Sequence, residues 1–194
     1  MAKVIAVVNQ KGGVGKTTTS VNLAAYLAHL GREVLLVDLD PQANATSGAA
    51  IEHAKLPHGI YEAKKKKKSI LDIIKRTKEP RFRVAPATEA LAGAGVELVA
   101  MADREYRLHD ILEEAKGEYD YIIVDSPPSL GLLTINSLVA ADEILIPVQS
   151  EYYALEGLGQ LINSIGLVQA NLKPNLTILG AVITMYDKRN SLST

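Results

Sequence analysis

The sequence predicts an α/β domain of three layers, with helices on both faces of a mostly parallel sheet. Three observations predict it. Short apolar runs alternate with helix-like segments along the chain. Those runs are continuous stretches of Val, Ile and Leu, the pattern of strands covered on both faces. The aromatic share is 5%, with no Trp and one Phe, so the core has to be aliphatic.

The elements follow in order. Lys3–Val8 reads as a buried strand, followed by a Gly-rich turn. Thr17–Leu30 reads as a helix with Val21, Ala24, Ala25, Ala28 and Leu30 near one face, and Gly31 as its stop. Glu33–Asp38 is a second strand, Arg81–Val84 a short third, Tyr119–Asp125 a fourth, Glu143–Val148 a fifth and Thr177–Thr184 a sixth. Ser69–Thr77, Arg104–Lys116, Leu130–Ala140 and Ala154–Asn171 read as the helices between them. Strands joined through helices imply right-handed crossovers. At 194 residues without an interdomain linker, residues 1–194 read as a single domain.

Composition removes several function classes. Without Cys there are no disulfides, thiolate metal sites, iron–sulfur clusters or cysteine nucleophiles. No apolar run is long enough to span a membrane, and a strand-like run directly after Met1 leaves no room for a signal peptide. The expected setting is cytoplasmic. The net charge of −1 conceals an asymmetry: residues 53–83 hold 11 of the 21 Lys+Arg and only 3 of the 22 Asp+Glu. This basic, irregular, insertion-like stretch contains Lys64–Lys68, read either as a solvated loop or as added affinity for a phosphate backbone.

The strongest motif is Gln10-Lys11-Gly12-Gly13-Val14-Gly15-Lys16-Thr17-Thr18, set between a strand and a helix. A helix N-terminus offers unpaired N–H groups and a partial positive charge, and glycines let the backbone wrap phosphate oxygens. Lys16 reaches β- and γ-phosphates, the Thr17 hydroxyl sits on Mg²⁺, and Thr18 adds a contact to the α-phosphate. A dinucleotide fingerprint does not fit, because Lys16 stands where its third glycine belongs. The fold class sharpens to a P-loop NTPase type.

Two strand ends are acidic. Asp38 and Asp40 close the second strand, and residues i and i+2 of a strand point the same way, so both carboxylates are expected at one site. Asp125 ends an apolar strand in the Walker B manner, with its carboxylate in the Mg²⁺ shell. Pro127 and Pro128 stiffen the next turn, a candidate γ-phosphate switch.

Lys11, beside the first glycine, goes beyond what a phosphate loop needs. The variant Lys-Gly-Gly-x-Gly-Lys-Thr resembles the deviant Walker A ATPases. With Asp38–Thr46, Asp125–Asn136 and Pro147–Leu158, the chain resembles the ParA/Soj chromosome-partitioning ATPases of the ParA/MinD superfamily over residues 2 to about 189. The resemblance implies an ATP hydrolase, slow and partner-stimulated, whose ATP-bound homodimer is a nucleotide sandwich that binds double-stranded DNA without sequence preference. It implies release through a ParB-type protein and a nucleoid-associated location, with no membrane partner. Residue by residue, it gives Lys11 a reach to the partner's phosphates and assigns the nucleotide loop to Gly12, Gly13, Val14, Gly15, Lys16, Thr17 and Thr18. Asp40 orients the attacking water, while Thr17, Asp38 and Asp125 serve the metal.

Family members continue past the equivalent of Thr194 with another strand and closing helices. The chain is therefore expected to be truncated or to have lost part of that fold. Lys188 and Arg189 stand where the family's DNA surface begins. The alternative reading is a MinD-like membrane-cycling ATPase of division-site placement. It needs a C-terminal amphipathic helix, which Lys188–Thr194 does not supply.

Overall fold

The computed structural model describes residues 1–64, 68–150 and 154–186. Seven strands form one sheet: β1 (Lys3–Val7), β2 (Val34–Asp38), β3 (Lys75–Arg76), β4 (Phe82–Ala85), β5 (Tyr121–Asp125), β6 (Glu143–Gln149) and β7 (Thr177–Thr184). Their spatial order is β3-β4-β2-β5-β1-β6-β7, and every pair is parallel except β3 with β4. The helices are α1 (Lys16–His29), α2 (Asn44–Gly48), α3 (Ile60–Lys64), α4 (Ile70–Ile73), α5 (Leu91–Leu98), α6 (Arg107–Glu113), α7 (Leu132–Ala140) and α8 (Ala154–Asn171), with a 3₁₀ turn at His53–Lys55.

Strand alternation sorts the core into two layers. Ile5, Val7, Val34, Leu36, Val84 and Ile123 face α1 and α2. Val4, Ala6, Leu35, Val37, Ile122 and Val124 face the side packed by α3 to α8. On α1 the residues wholly inside are Lys16, Ser20, Ala24 and Ala28, spaced four apart. Small side chains along that row bring the helix close to the sheet, with Val21 and Ala25 flanking it. Leu30, expected on the same face, is exposed instead, because the helix stops at His29. Gly31 takes φ +88° and donates its N–H to the Ala28 carbonyl, ending the helix as expected.

Several elements depart from the sequence reading. The helix expected over Ser69–Thr77 is a single turn, capped by the Ser69 hydroxyl; its remainder becomes β3 against β4. α2, α3 and α5 were unanticipated. α5 carries Gly93 and Gly95 and lacks propensity, yet Leu91, Ala94 and Leu98 are buried, so tertiary packing forms it. β7 pairs with β6 through seven register partners, but both its faces are largely exposed, with Ile178, Leu179, Val182 and Ile183 open to solvent. The expectation of burial on both sides does not hold for this edge strand.

Candidate functional site

The site lies where the central strands end. β1 runs out at Val7, between β5 and β6, and its continuation is the glycine loop that opens α1. Gly13 and Gly15 sit at φ +75° and +87°, a region that side chains with a Cβ disfavour. A Cβ built on Gly12 or Gly13 meets no atom within 4 Å, so the loop faces open space of the kind a phosphate needs.

Beneath the loop lies a connected set of side chains. Asp125 is fully buried at the end of β5; its Oδ2 accepts the Thr17 hydroxyl at 2.9 Å and its Oδ1 the Ser20 hydroxyl at 2.8 Å. Lys16 folds back to donate to the Lys11 carbonyl at 2.9 Å. Burial lowers the Lys16 ammonium below its usual range, and the carboxylates of Asp125 and Asp40 oppose that shift. Gly12, Gly13, Gly15, Lys16, Thr17, Thr18, Asp40, Asn44, Pro128 and Met185 line a cleft of about 420 Å³. Thr17, Lys16 and Asp125 thus come together as the motifs predict. Val14 is buried behind the loop, while Lys11 is exposed at its tip.

Asp38 and Asp40 part company. β2 ends at Asp38, so strand alternation does not carry on to Asp40. Asp40 enters the cleft lining, whereas Asp38 turns inward. Asp38 is the register partner of Asp125 on the neighbouring strand, which sets two carboxylates side by side. Desolvation pushes Asp38 up to about 7; hydrogen bonds from Thr46 oppose this and the Asp125 charge adds to it. Asp125 is pushed up to about 6, again by burial first, against the bonds from Ser20 and Thr17.

These upward shifts make a stability prediction. The folded state holds both protons more tightly than the unfolded chain, whose carboxyls titrate near 3.8. At low pH both states are protonated and the groups are neutral toward folding. As pH rises the unfolded chain ionises first, so native stability falls across the window from 3.8 to about 7. Thermal melts without nucleotide are expected to show a protein about 2–3 kcal/mol more stable near pH 5.5 than near pH 8. Asp38→Asn should flatten that slope; an unchanged slope would refute the assignment to Asp38.

Sequence reasoning missed several contributors, Asn44 of the cleft lining among them. Ser20 lies one turn beyond Lys16 on the same face of α1, a spacing that could have flagged it. Thr46 binds Asp38, and Thr184 at the end of β7 donates to the Val14 carbonyl at 2.8 Å, clasping the loop from 170 residues away. Met185, at φ +55°, closes one side of the cleft. Lys188 and Arg189 lie outside the described residues, as do 65–67 of the lysine tract.

Among the described residues no group of three or more His, Asp or Glu forms a metal cluster. Among the described residues, the Asp125 carboxylate and the Thr17 hydroxyl meet where they would hold a hard divalent cation, with phosphate and water oxygens completing its shell; Asp38, expected to serve the same metal, lies buried beside Asp125 with its oxygens engaged by Thr46 and the Asp40 amide. No helix among the described residues is long and apolar enough to cross a membrane.

A family model described as an AAA domain matches residues 2–178. The sporulation initiation inhibitor protein Soj of Bacillus subtilis is 57% identical over 192 residues, covering 99% of this chain and 76% of that protein. The chromosome partitioning protein ParA of Myxococcus xanthus is 51% identical, covering 100% of this chain and 68% of that one. Among solved structures, the cobyrinic acid a,c-diamide synthase of Mycobacterium smegmatis, with bound ADP and magnesium, superposes with a TM-score of 0.96. It is 43% identical, with 100% of this chain and 78% of that one covered.

Proposed function

The chain belongs to the ParA/Soj family of partitioning ATPases, and from that premise we propose that it binds and hydrolyses ATP to drive a DNA-segregation cycle. The observation that carries the proposal is the Lys16–Thr17–Asp125 arrangement beneath an open glycine loop. It fits ATP with Mg²⁺, and the same synthase from Mycobacterium smegmatis has also been solved with a bound ATP analogue and magnesium.

The residues divide the work. The amides of Gly12 to Thr18 and the Lys16 ammonium hold the phosphates, Lys16 leaving the Lys11 carbonyl to do so. Thr17 and Asp125, already hydrogen-bonded to each other, would hold Mg²⁺, which neutralises charge on the β- and γ-phosphates. Ser20 orients Asp125, and Asp38 fixes the backbone that carries Asp40. Asp40 lies at the cleft to orient the attacking water. Lys11, exposed in the glycine loop, reaches the phosphates of a second copy in an ATP-bound homodimer on this reading.

In this reading the dimer binds double-stranded DNA without sequence preference, through a surface that includes Lys188 and Arg189. A ParB-type protein stimulates hydrolysis and releases it, and the protein is cytoplasmic and nucleoid-associated. ATP turnover of the full chain, with and without sonicated DNA and the cognate ParB-type protein, tests it. Stimulation by the two together is expected. Stimulation by liposomes with indifference to DNA would overturn the partition reading in favour of a membrane-cycling ATPase.

A further inference from the structure

A buried hydroxyl links the turn that carries Asp40 to the segment after β4. The Thr46 hydroxyl donates to Asp38 Oδ2 at 2.7 Å, and the Thr46 amide donates to the same oxygen at 2.8 Å. The hydroxyl also accepts the Ala87 amide at 3.1 Å, from the segment just after β4. The other oxygen of Asp38 accepts the Asp40 amide at 3.1 Å. Thr46, Asp38 and Ala87 are all fully buried.

Both ends of this linkage are firm. On the far side, the Pro86 carbonyl accepts the Ile60 amide at 2.9 Å, and a Cβ at Gly59 would come within 2.6 Å of that same oxygen. On the near side, the Asp40 carbonyl accepts the Ala43 amide at 2.9 Å, and Asp40 Oδ1 accepts the Gln42 amide at 3.0 Å. Ala43 completes the turn at φ +53°, a strained conformation for a residue with a Cβ, which surrounding bonds must enforce. A carboxylate wholly removed from water is a costly way to gain stability alone. What Asp38 supplies is direction: three donors on two oxygens fix where the backbone of Asp40 begins.

We propose that Thr46 is a positioning residue for hydrolysis, aiming Asp38 so that Asp38 in turn sets Asp40 in the lining of the cleft. The role in turnover rests on the reading of Asp40 as the group that orients water; the structural linkage does not.

The test compares the full chain with Thr46→Val, which removes the hydroxyl, and Thr46→Ser, which keeps it. Amide hydrogen exchange by NMR reads the linkage directly. The Asp40 and Ala87 amides are expected to exchange about tenfold or more faster in Thr46→Val and at the wild-type rate in Thr46→Ser. Turnover is expected to fall about 10- to 100-fold in Thr46→Val, with the Kd for a non-hydrolysable ATP analogue within about threefold of wild type. Thr46→Ser should restore turnover. Unchanged exchange in Thr46→Val, or equal losses in the two variants, would overturn the proposal, as would a loss confined to nucleotide affinity. If Thr46→Val does not fold, Thr46→Ser still decides: slowed turnover there would assign the effect to the lost methyl rather than the hydroxyl. A wild-type chain that hydrolyses no ATP would refute the ATPase reading, while the exchange rates would still settle the linkage.

Discussion

Lys16→Ala is expected to weaken binding of ATP with Mg²⁺ by about a hundredfold or more and to leave the chain folded. The Lys16 ammonium is held largely out of water, with a hydrogen bond to the Lys11 carbonyl. Burial already disfavours its charge, so the folded state gains little from it. On the proposed reading its gain comes when phosphate replaces the carbonyl as partner, a charge-assisted bond worth about 1.5–3 kcal/mol for each contact made. Calorimetry with the ATP analogue reads the affinity, and a melting temperature shifted by no more than about 5 °C confirms the fold. Nucleotide-dependent dimerisation should disappear with the affinity. An unchanged Kd would remove Lys16 from the phosphate site.

Asp40→Ala is expected to separate binding from turnover in the opposite way. Asp40 and Thr17 both line the cleft, and fully buried Asp125 lies behind them, held by the hydroxyls of Thr17 and Ser20. Removing the Asp40 carboxylate therefore leaves the phosphate and metal groups in place. Hydrolysis should fall by about 10²–10³, the scale of a lost proton acceptor or water-orienting group. The variant should still bind ATP and remain an assembled dimer, because the step that ends that state is blocked. Asp40→Asn, which keeps the oxygen that accepts the Gln42 amide, separates lost chemistry from a collapsed turn. Single-turnover assays and sedimentation with ATP check both variants. An Asp40→Ala chain that stays monomeric with ATP would contradict the role assigned to this carboxylate.

The phosphate loop and Asp125 were legible because each is a contiguous string in its own local context. The loop declares itself by three glycines and a Lys-Thr pair between a strand and a helix, and Asp125 by the apolar strand it ends. Ser20 was partly legible from helical spacing. Thr184 was not: its partner, the Val14 carbonyl, is 170 residues away, and nothing around a Thr at the end of a strand signals that contact. Thr46 stands eight residues from Asp38, yet its role depends on where β2 stops, and that boundary separated Asp38 from Asp40 as well. In the fold, the central strands were readable as Val, Ile and Leu runs. α5 was hidden because Gly93 and Gly95 advertise a loop, while burial of Leu91, Ala94 and Leu98 imposes a helix. β3 was hidden because Lys75 and Arg76 carry no apolar pattern; only pairing with β4 makes them a strand.

The clasp from Thr184 to Val14 gives the edge strand a thermodynamic meaning. β7 joins the sheet through its ladder to β6. Its last residues carry two parts of the nucleotide cleft, the Thr184 bond to the loop and the Met185 wall. Any opening of that ladder therefore strips both from the cleft in one event. By reciprocity, whatever pins β7 down tightens the grip on nucleotide, and a bound nucleotide delays the melting of β7 by the same free energy.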